Sequence, residues 1–421
     1  MITKYNNYLL ILLLIILAFN YVDRVTLGIV LQDIKNDLHL SDTELGFLGG
    51  LSFAIFYATI GIPIARWADR ANRPRIIALT AALWSVAVML CATVTGFVQL
   101  LLVRIGVAVG EAGCIPPAQS LIADTFSRDE RPRAMSRYML GIPLAVVVGY
   151  FAGGWLNQVY GWRTTFVVMG LPGLALAALA QTTLREPRDN ASVSTISEDP
   201  AQPALRDVCR LLWASGTFKH LLVCVSVWYF FAYGLFQWTP AFFIRSHGFQ
   251  TGELGAWLGA IFGLGSAAGI YLGGEWATRY AADNERVQLV SCALAFVFFS
   301  VINACAFMAR DRYVALAVLG VANFGANLVQ GPLFATIQTL VPARMRALSA
   351  ALVYMFANLV GMGIGPLAAG ALSDALRPYL GEDSLRYALM ALCPGYLWAA
   401  WHVWRASTTV MRDIVEAQGR G

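Results

Sequence analysis

Asp23 and Arg24 lie in one long apolar stretch of this chain, and Arg104 and Glu111 lie in another. Acids and bases in segments of that length can carry a proton, hold an anion or pair with each other. A charge near the centre of a bilayer costs at least ~2.5–3.5 kcal/mol even on insertion scales, and such residues mark substrate or proton paths. Purely structural ion pairs are the plainer reading, but apolar residues could replace such pairs at little cost to stability. The four charges therefore point to a transporter. Arg104 and Glu111 are seven residues apart, on one helical face and about 10 Å apart along its axis. Asp23 is expected at a depth between them, so that Asp23 or Arg24 can reach either partner. We expect Asp23 to be the principal proton site, with Glu111 a second proton site or the partner of Arg24. Arg24, Arg104 and Asn20 would receive an anionic head group, because a guanidinium grips phosphate or carboxylate in a bidentate fork.

The elements that must position these residues are membrane spans. Of 421 residues, 58% are hydrophobic and only 13% charged, well under the roughly 25% charged of a soluble domain. Apolar runs long enough to cross a bilayer (~20 residues) are expected at 7–34, 43–68, 74–95, 98–124, 134–157, 164–182, 218–243, 252–278, 287–308, 313–340, 347–373 and 385–405. The fold class is thus an all-α membrane protein of twelve transmembrane helices. The first run follows Lys4 and resembles a signal peptide, but it continues to Val30 without a small-residue cleavage site and reads as the first span. With both termini cytoplasmic, 21 of the 30 Lys and Arg fall inside, 7 outside and 2 within the membrane. That bias sets the orientation in a cell membrane.

The chain repeats itself. Residues 41–70 align without a gap on 250–279, sharing Glu44/Glu253, Leu45/Leu254, Gly46/Gly255, Gly50/Gly259, Phe53/Phe262, Ala58/Ala267, Trp67/Trp276, Ala68/Ala277 and Arg70/Arg279. Arg133-Ala134-Met135-Ser136 matches Arg346-Ala347-Leu348-Ser349. Two parallel six-helix repeats follow, the arrangement in which one bundle rocks against another. We expect an N-terminal bundle at 1–183, a cytoplasmic linker at 184–217, a C-terminal bundle at 218–406 and a tail at 407–421. Within the linker, Asn190–Pro203 is polar and flexible in composition, whereas Leu205–Trp213 patterns as an amphipathic surface helix. Glycines at four-residue spacing, Gly149/Gly153, Gly265/Gly269/Gly273 and Gly361/Gly365, mark close helix approaches.

The second half carries no buried charge. It offers Tyr229, Tyr233 and Phe236 along span seven, with Asn323, Asn327 and Asn358 on spans ten and eleven. A charged half opposite an aromatic, amide-bearing half makes an amphipathic cavity suited to an anionic head and an apolar tail.

Gly61–Arg75, GIPIARWADRANRPR, resembles the loop signature of the major facilitator superfamily. Asp69, Arg70 and Arg73 match it, while Ala65 and Asn72 replace its glycines and Pro74 its last basic residue. The resemblance implies the two-bundle major facilitator fold and a cytoplasmic gate in which Asp69 pairs with arginines. Arg279 is the counterpart of Arg70 in the second copy, where Thr278 replaces the acid. Three segments are similar to the Spinster-like transporters: Asn20-Tyr21-Val22-Asp23-Arg24, Arg104–Ala112 with Ala123-Asp124-Thr125-Phe126, and Gly161-Trp162-Arg163. That similarity implies proton-linked movement of lysophospholipids or sphingolipids.

The expected function is accordingly proton-coupled secondary transport of an amphipathic anionic lipid by alternating access. A proton symporter of a small organic anion or sugar acid is the alternative, and a passive facilitator a further one. No nucleophile–base pair, Walker sequence or metal-ligand spacing is present, so no enzyme, cofactor, metal or nucleic-acid partner is expected. The expected partners are the substrate, protons and the bilayer, acting on a monomer.

Overall fold

Backbone N–H and C=O groups in hydrocarbon must be satisfied within the chain, which leaves helices as the way for long apolar runs to cross. The computed structural model describes residues 4–127, 130–187, 205–282, 284–341 and 345–418, and no strand occurs among them. In chain order the helices are α1 (Lys4–Leu38), α2 (Asp42–Gly49), α3 (Leu51–Arg70), α4 (Arg73–Leu90), α5 (Phe97–Ala112), α6 (Ile115–Thr125), α7 (Arg131–Met139), α8 (Gly141–Thr183), α9 (Leu205–Ala214) and α10 (Gly216–His247). They continue as α11 (Thr251–Leu258), α12 (Ser266–Tyr280), α13 (Glu285–Met308), α14 (Arg312–Leu328), α15 (Gln330–Thr339), α16 (Arg346–Asn358), α17 (Gly365–Leu380), α18 (Ser384–Leu392) and α19 (Gly395–Gln418). Short π-helical segments, Gly259–Gly265 and Leu359–Ile364, join α11 to α12 and α16 to α17.

Ten helical stretches among the described residues are long and apolar enough to span a membrane. Two of them, Arg133–Thr183 (51 residues) and Leu348–Glu416 (69 residues), are each long enough for two passes. Each contains a glycine with positive φ, Gly161 at 78° and Gly381 at 56°. Only glycine enters that region freely, so Gly161 reverses the chain between spans five and six although the helical hydrogen bonding runs on through it. Counting those stretches twice gives twelve passes.

The chain divides into two compact units: Met1–Thr195 with Gly248–Gly263, and Ile196–His247 with Leu264–Gly421. In the first, α8 packs along both α1 and α4, and α5 packs against α3 and α4. Ala18 and Val22 of α1 meet Ala145, Leu156 and Met169 of α8 in one apolar cluster. Gly149 and Gly153 seat α8 on Val25 and Thr26. The C-terminal end of α1 is pinned by polar side chains: Lys35 pairs with buried Asp42 at 2.5 Å, Asp33 accepts from Asn157, and Asp37 pairs with Arg163. The α11 segment joins this unit through Thr251, whose hydroxyl donates to the Gly154 carbonyl at 3.0 Å.

In the second unit, α10 packs on α19 and α17, and α13 on α14 and α19. Trp238 donates from its indole N–H to the Pro366 carbonyl at 2.9 Å, and Gly365 lies against the backbone of Phe230 and Gly234. Gly269 and Gly273 sit against α14 in the same way. Asp413 of α19 accepts from the Thr217 N–H at 2.9 Å and the Ser215 hydroxyl at 2.8 Å, capping the start of α10. Burial raises the affinity of this carboxyl for protons, but these donors outweigh it and hold Asp413 below the ordinary carboxylate range. Residues Leu205–Ala214, where an amphipathic helix was expected, are helical as α9, with Leu212 buried and Trp213 exposed. The polar linker Asn190–Pro203 lies outside the described residues.

Near the charged residues, α5 packs directly on backbone at Gly110, where an added Cβ would fall 2.6 Å from the backbone N and 2.9 Å from the Cα of Trp84. Backbone cannot yield as a side chain can. Gly110→Ala is therefore expected to destabilise by about 1–3 kcal/mol, read as a lower thermal midpoint in detergent. Gly106→Ala, whose Cβ would meet Ala87 at an ordinary 3.6 Å, is expected to be neutral or slightly stabilising; equal losses in the two variants would refute the packing account.

Candidate substrate and proton site

Asn20, Asp23 and Arg24 occupy less than two turns of α1, and Arg104 and Glu111 two turns of α5. The structure brings all five together. Arg104 Nη1 donates to Asp23 Oδ2 at 2.7 Å. Arg24 donates to Glu111 Oε2 from Nε at 2.7 Å, and its Nη2 lies 2.5 Å from the same oxygen. Asn20 Nδ2 reaches the Glu111 carbonyl at 3.4 Å. The pairing is thus crossed, each acid of one helix held by the arginine of the other.

Burial separates the two pairs. Asp23, Arg104 and Glu111 are 2%, 1% and 0% exposed, whereas the Arg24 side chain retains 17%. Each carboxyl also keeps one oxygen, Asp23 Oδ1 and Glu111 Oε1, without a hydrogen-bond partner. Unpaired buried acceptors cost free energy. Three aromatic rings stack on the Arg24 guanidinium: Tyr21 and Phe53 at 4.4 Å and Tyr57 at 4.9 Å to the ring centres. Phe53 also lies 5.4 Å from the Arg104 guanidinium. Phe53 and Tyr57 were not among the residues expected from sequence; their i,i+4 spacing on span two was the available signal.

The expected aromatic and amide residues lie in the second unit. Tyr229, Tyr233 and Phe236 form one half-buried face of α10, between buried Trp228 and Leu235. Tyr233 donates to Asn358 Oδ1 at 3.4 Å, and the Tyr229 and Tyr233 rings are 5.7 Å apart. Gly361 lies beside Tyr229, where a side chain would not fit. Asn327 belongs to a separate cluster, donating to Ser266 Oγ at 3.1 Å, which also accepts from Asn323 at 2.9 Å.

The residues expected at a gate are dispersed. The Asp69 side chain lies outside the described residues, and Arg70 is exposed. Arg279 pairs with Glu275 one turn back on its own helix at 2.5 Å. Arg73 is fully buried inside the first unit. It donates to Glu186 from both its backbone N–H and its guanidinium, to Asp124 Oδ2 at 2.6 Å and to Ser120 Oγ at 2.9 Å. Burial opposes its charge, but the two carboxylates more than restore it and hold the Arg73 pKa above its usual value. Arg73 thereby ties α4 to α6 and to the segment after α8. Removing one partner of a buried pair costs about 3–5 kcal/mol, so Glu186→Gln should lower the thermal midpoint markedly. Asp124→Asn, at a carboxylate 39% exposed, should lower it less; the reverse order would contradict this assignment.

The family model of the major facilitator superfamily matches residues 13–366. An MFS-type efflux pump of Mycolicibacterium smegmatis is 34% identical over 404 residues, covering 95% of this chain and 92% of the relative. Protein spinster homolog 1 of Xenopus tropicalis is 28% identical over 421 residues, covering 92% and 78% of the two chains. A crystal structure of a bacterial homologue of the human lysosomal transporter Spinster, inward-facing and unoccupied, superposes with a TM-score of 0.87 at 28% identity over 98% of each chain.

Proposed function

Because the chain belongs to the major facilitator superfamily and is a multi-pass membrane transporter, we propose that it couples proton movement to transport of an amphipathic anionic lipid of lysophospholipid or sphingosine-phosphate type. It works as a monomer by alternating access, in the cell membrane with both termini cytoplasmic. The observation that carries this reading is the crossed quartet. Asp23, Glu111, Arg24 and Arg104 sum to zero charge, and each carboxyl keeps one oxygen without a hydrogen-bond partner, where a proton can be taken up. A proton taken up there neutralises one acid and releases positive charge on its arginine. Arg24 is the arginine placed to use that charge, since it is the more exposed and the one set among aromatic rings. An anionic head group bound to Arg24 then restores neutrality, so proton and anion each favour entry of the other. Asp23 and Glu111 are the proton-coupling residues on this reading. Arg24, Arg104 and Asn20 take the head group, and Tyr229, Tyr233, Phe236, Asn327 and Asn358 take the remainder of the substrate.

The hydrogen-bonded amides of Asn323 and Asn327 with Ser266 favour a second reading, a symporter of a small hydroxylated organic anion. In vesicles, Asp23→Asn is expected to abolish accumulation driven by a pH gradient while equilibrium exchange persists. Equal accumulation by both proteins would remove Asp23 from coupling, whereas exchange without accumulation in the wild type would leave a passive facilitator. Thermal stabilisation by lysophospholipid, lost in Arg24→Ala, is expected under the lipid reading; stabilisation by sugar acids alone would replace it with the second.

A further inference from the structure

At the arginine-rich end of the first unit, well away from the quartet, a cavity of about 330 Å³ opens between the start of α4 and the segment following α8. Arg75, Arg185, Asn72 and Gln181 line it, with Leu184 and Glu186. Its one carboxylate is already committed, because Glu186 is buried and bound to Arg73 through both the guanidinium and the backbone N–H. Arg75 and Arg185 are exposed and have no carboxylate partner among the described residues. Among the described residues, two guanidiniums without a carboxylate partner thus line a cleft whose one acid is bound to Arg73. Polar groups complete the lining: the Gln181 amide is exposed, and Asn72 caps α4 by accepting from the Arg75 N–H at 3.0 Å.

We propose that this cleft binds a phosphate ester, held in forks by Arg75 and Arg185. Paired guanidiniums match the oxygens of phosphate in bidentate geometry, and the volume exceeds that of a simple halide. Its surroundings favour a lipid head group as the source. Tyr5 accepts from the Arg185 N–H at 2.8 Å, and its ring lies 5.4 Å from the Arg185 guanidinium. The Tyr8 ring is 6.5 Å from that of Tyr5. Tyrosines cluster at head-group depth. At 1.5 Å per residue, Tyr5 stands roughly 27 Å along α1 from Asp23, so this site is independent of the transport reading. A bound phosphate would bridge the end of span six to the start of span three, the same junction that Arg73 and Glu186 close from within.

The test uses the purified full chain in phosphatidylcholine nanodiscs, with and without phosphatidylglycerol, and separately with inorganic phosphate or glycerol 3-phosphate added. Thermal midpoint and lipid adducts in native mass spectrometry are read for the wild type, Arg75→Gln/Arg185→Gln and Arg75→Lys/Arg185→Lys. Phosphatidylglycerol is expected to raise the midpoint and leave retained adducts, with apparent affinity falling about tenfold for each fork removed. The lysine pair should retain part of the effect, through charge without the fork. A response to the soluble phosphates, lost in the glutamine variant, would support the site and assign it to a free anion. Equal responses in wild type and glutamine variant, or none in either, would overturn it. Both side chains are exposed, so the variants are expected to fold, and an unshifted midpoint in pure phosphatidylcholine checks this.

Discussion

Four charges with almost no access to water are the constraint on which the first unit is organised. Taking an ion out of water costs several kcal/mol, and only close, well-oriented partners repay that. Asp23 with Arg104 and Glu111 with Arg24 satisfy the requirement by crossing between α1 and α5. The crossing fixes how the two helices are rotated and how far they are offset. Gly110 accepts the consequence, since α5 must come close enough to α4 to touch the Trp84 backbone.

The same rule repeats at the ends of the helices with a different purpose. Arg73 with Glu186 and Asp124, and Lys35 with Asp42, are polar joints between the ends of spans, with Arg73, Glu186, Lys35 and Asp42 buried. Asp413 does the equivalent work in the second unit by closing the last helix onto the first residues of α10. Their polar atoms are absent from the buried groups left without a partner, and they read as struts. The quartet differs because Asp23 Oδ1 and Glu111 Oε1 are left over.

The internal repeat gives the two units related helices but unlike chemistry. Phe53 and Phe262 occupy equivalent places in the alignment, yet Phe53 stacks on two buried guanidiniums while Phe262, in the part of the second copy that belongs to the first unit, packs on Tyr150. The second unit supplies amides and aromatic faces in place of charge. Duplication followed by such divergence places ionic chemistry in one unit and apolar surface in the other.

Span number, orientation bias, the repeat and the identity of the four buried charges were legible in the amino-acid order. Each depends on hydropathy, residue type or local spacing, which act along the chain. Gly161 marks the turn between spans five and six in the same way, through a backbone angle that side chains disfavour. Which arginine holds which acid was not legible, because it depends on the rotation and offset of two helices about 80 residues apart in sequence, and spacing alone left both pairings open. Nor could the motif of Gly61–Arg75 tell Arg73 from its neighbours. Arg70 is exposed and Arg73 is sealed against Glu186, 113 residues away, because tertiary packing decides which of several arginines finds buried carboxylates.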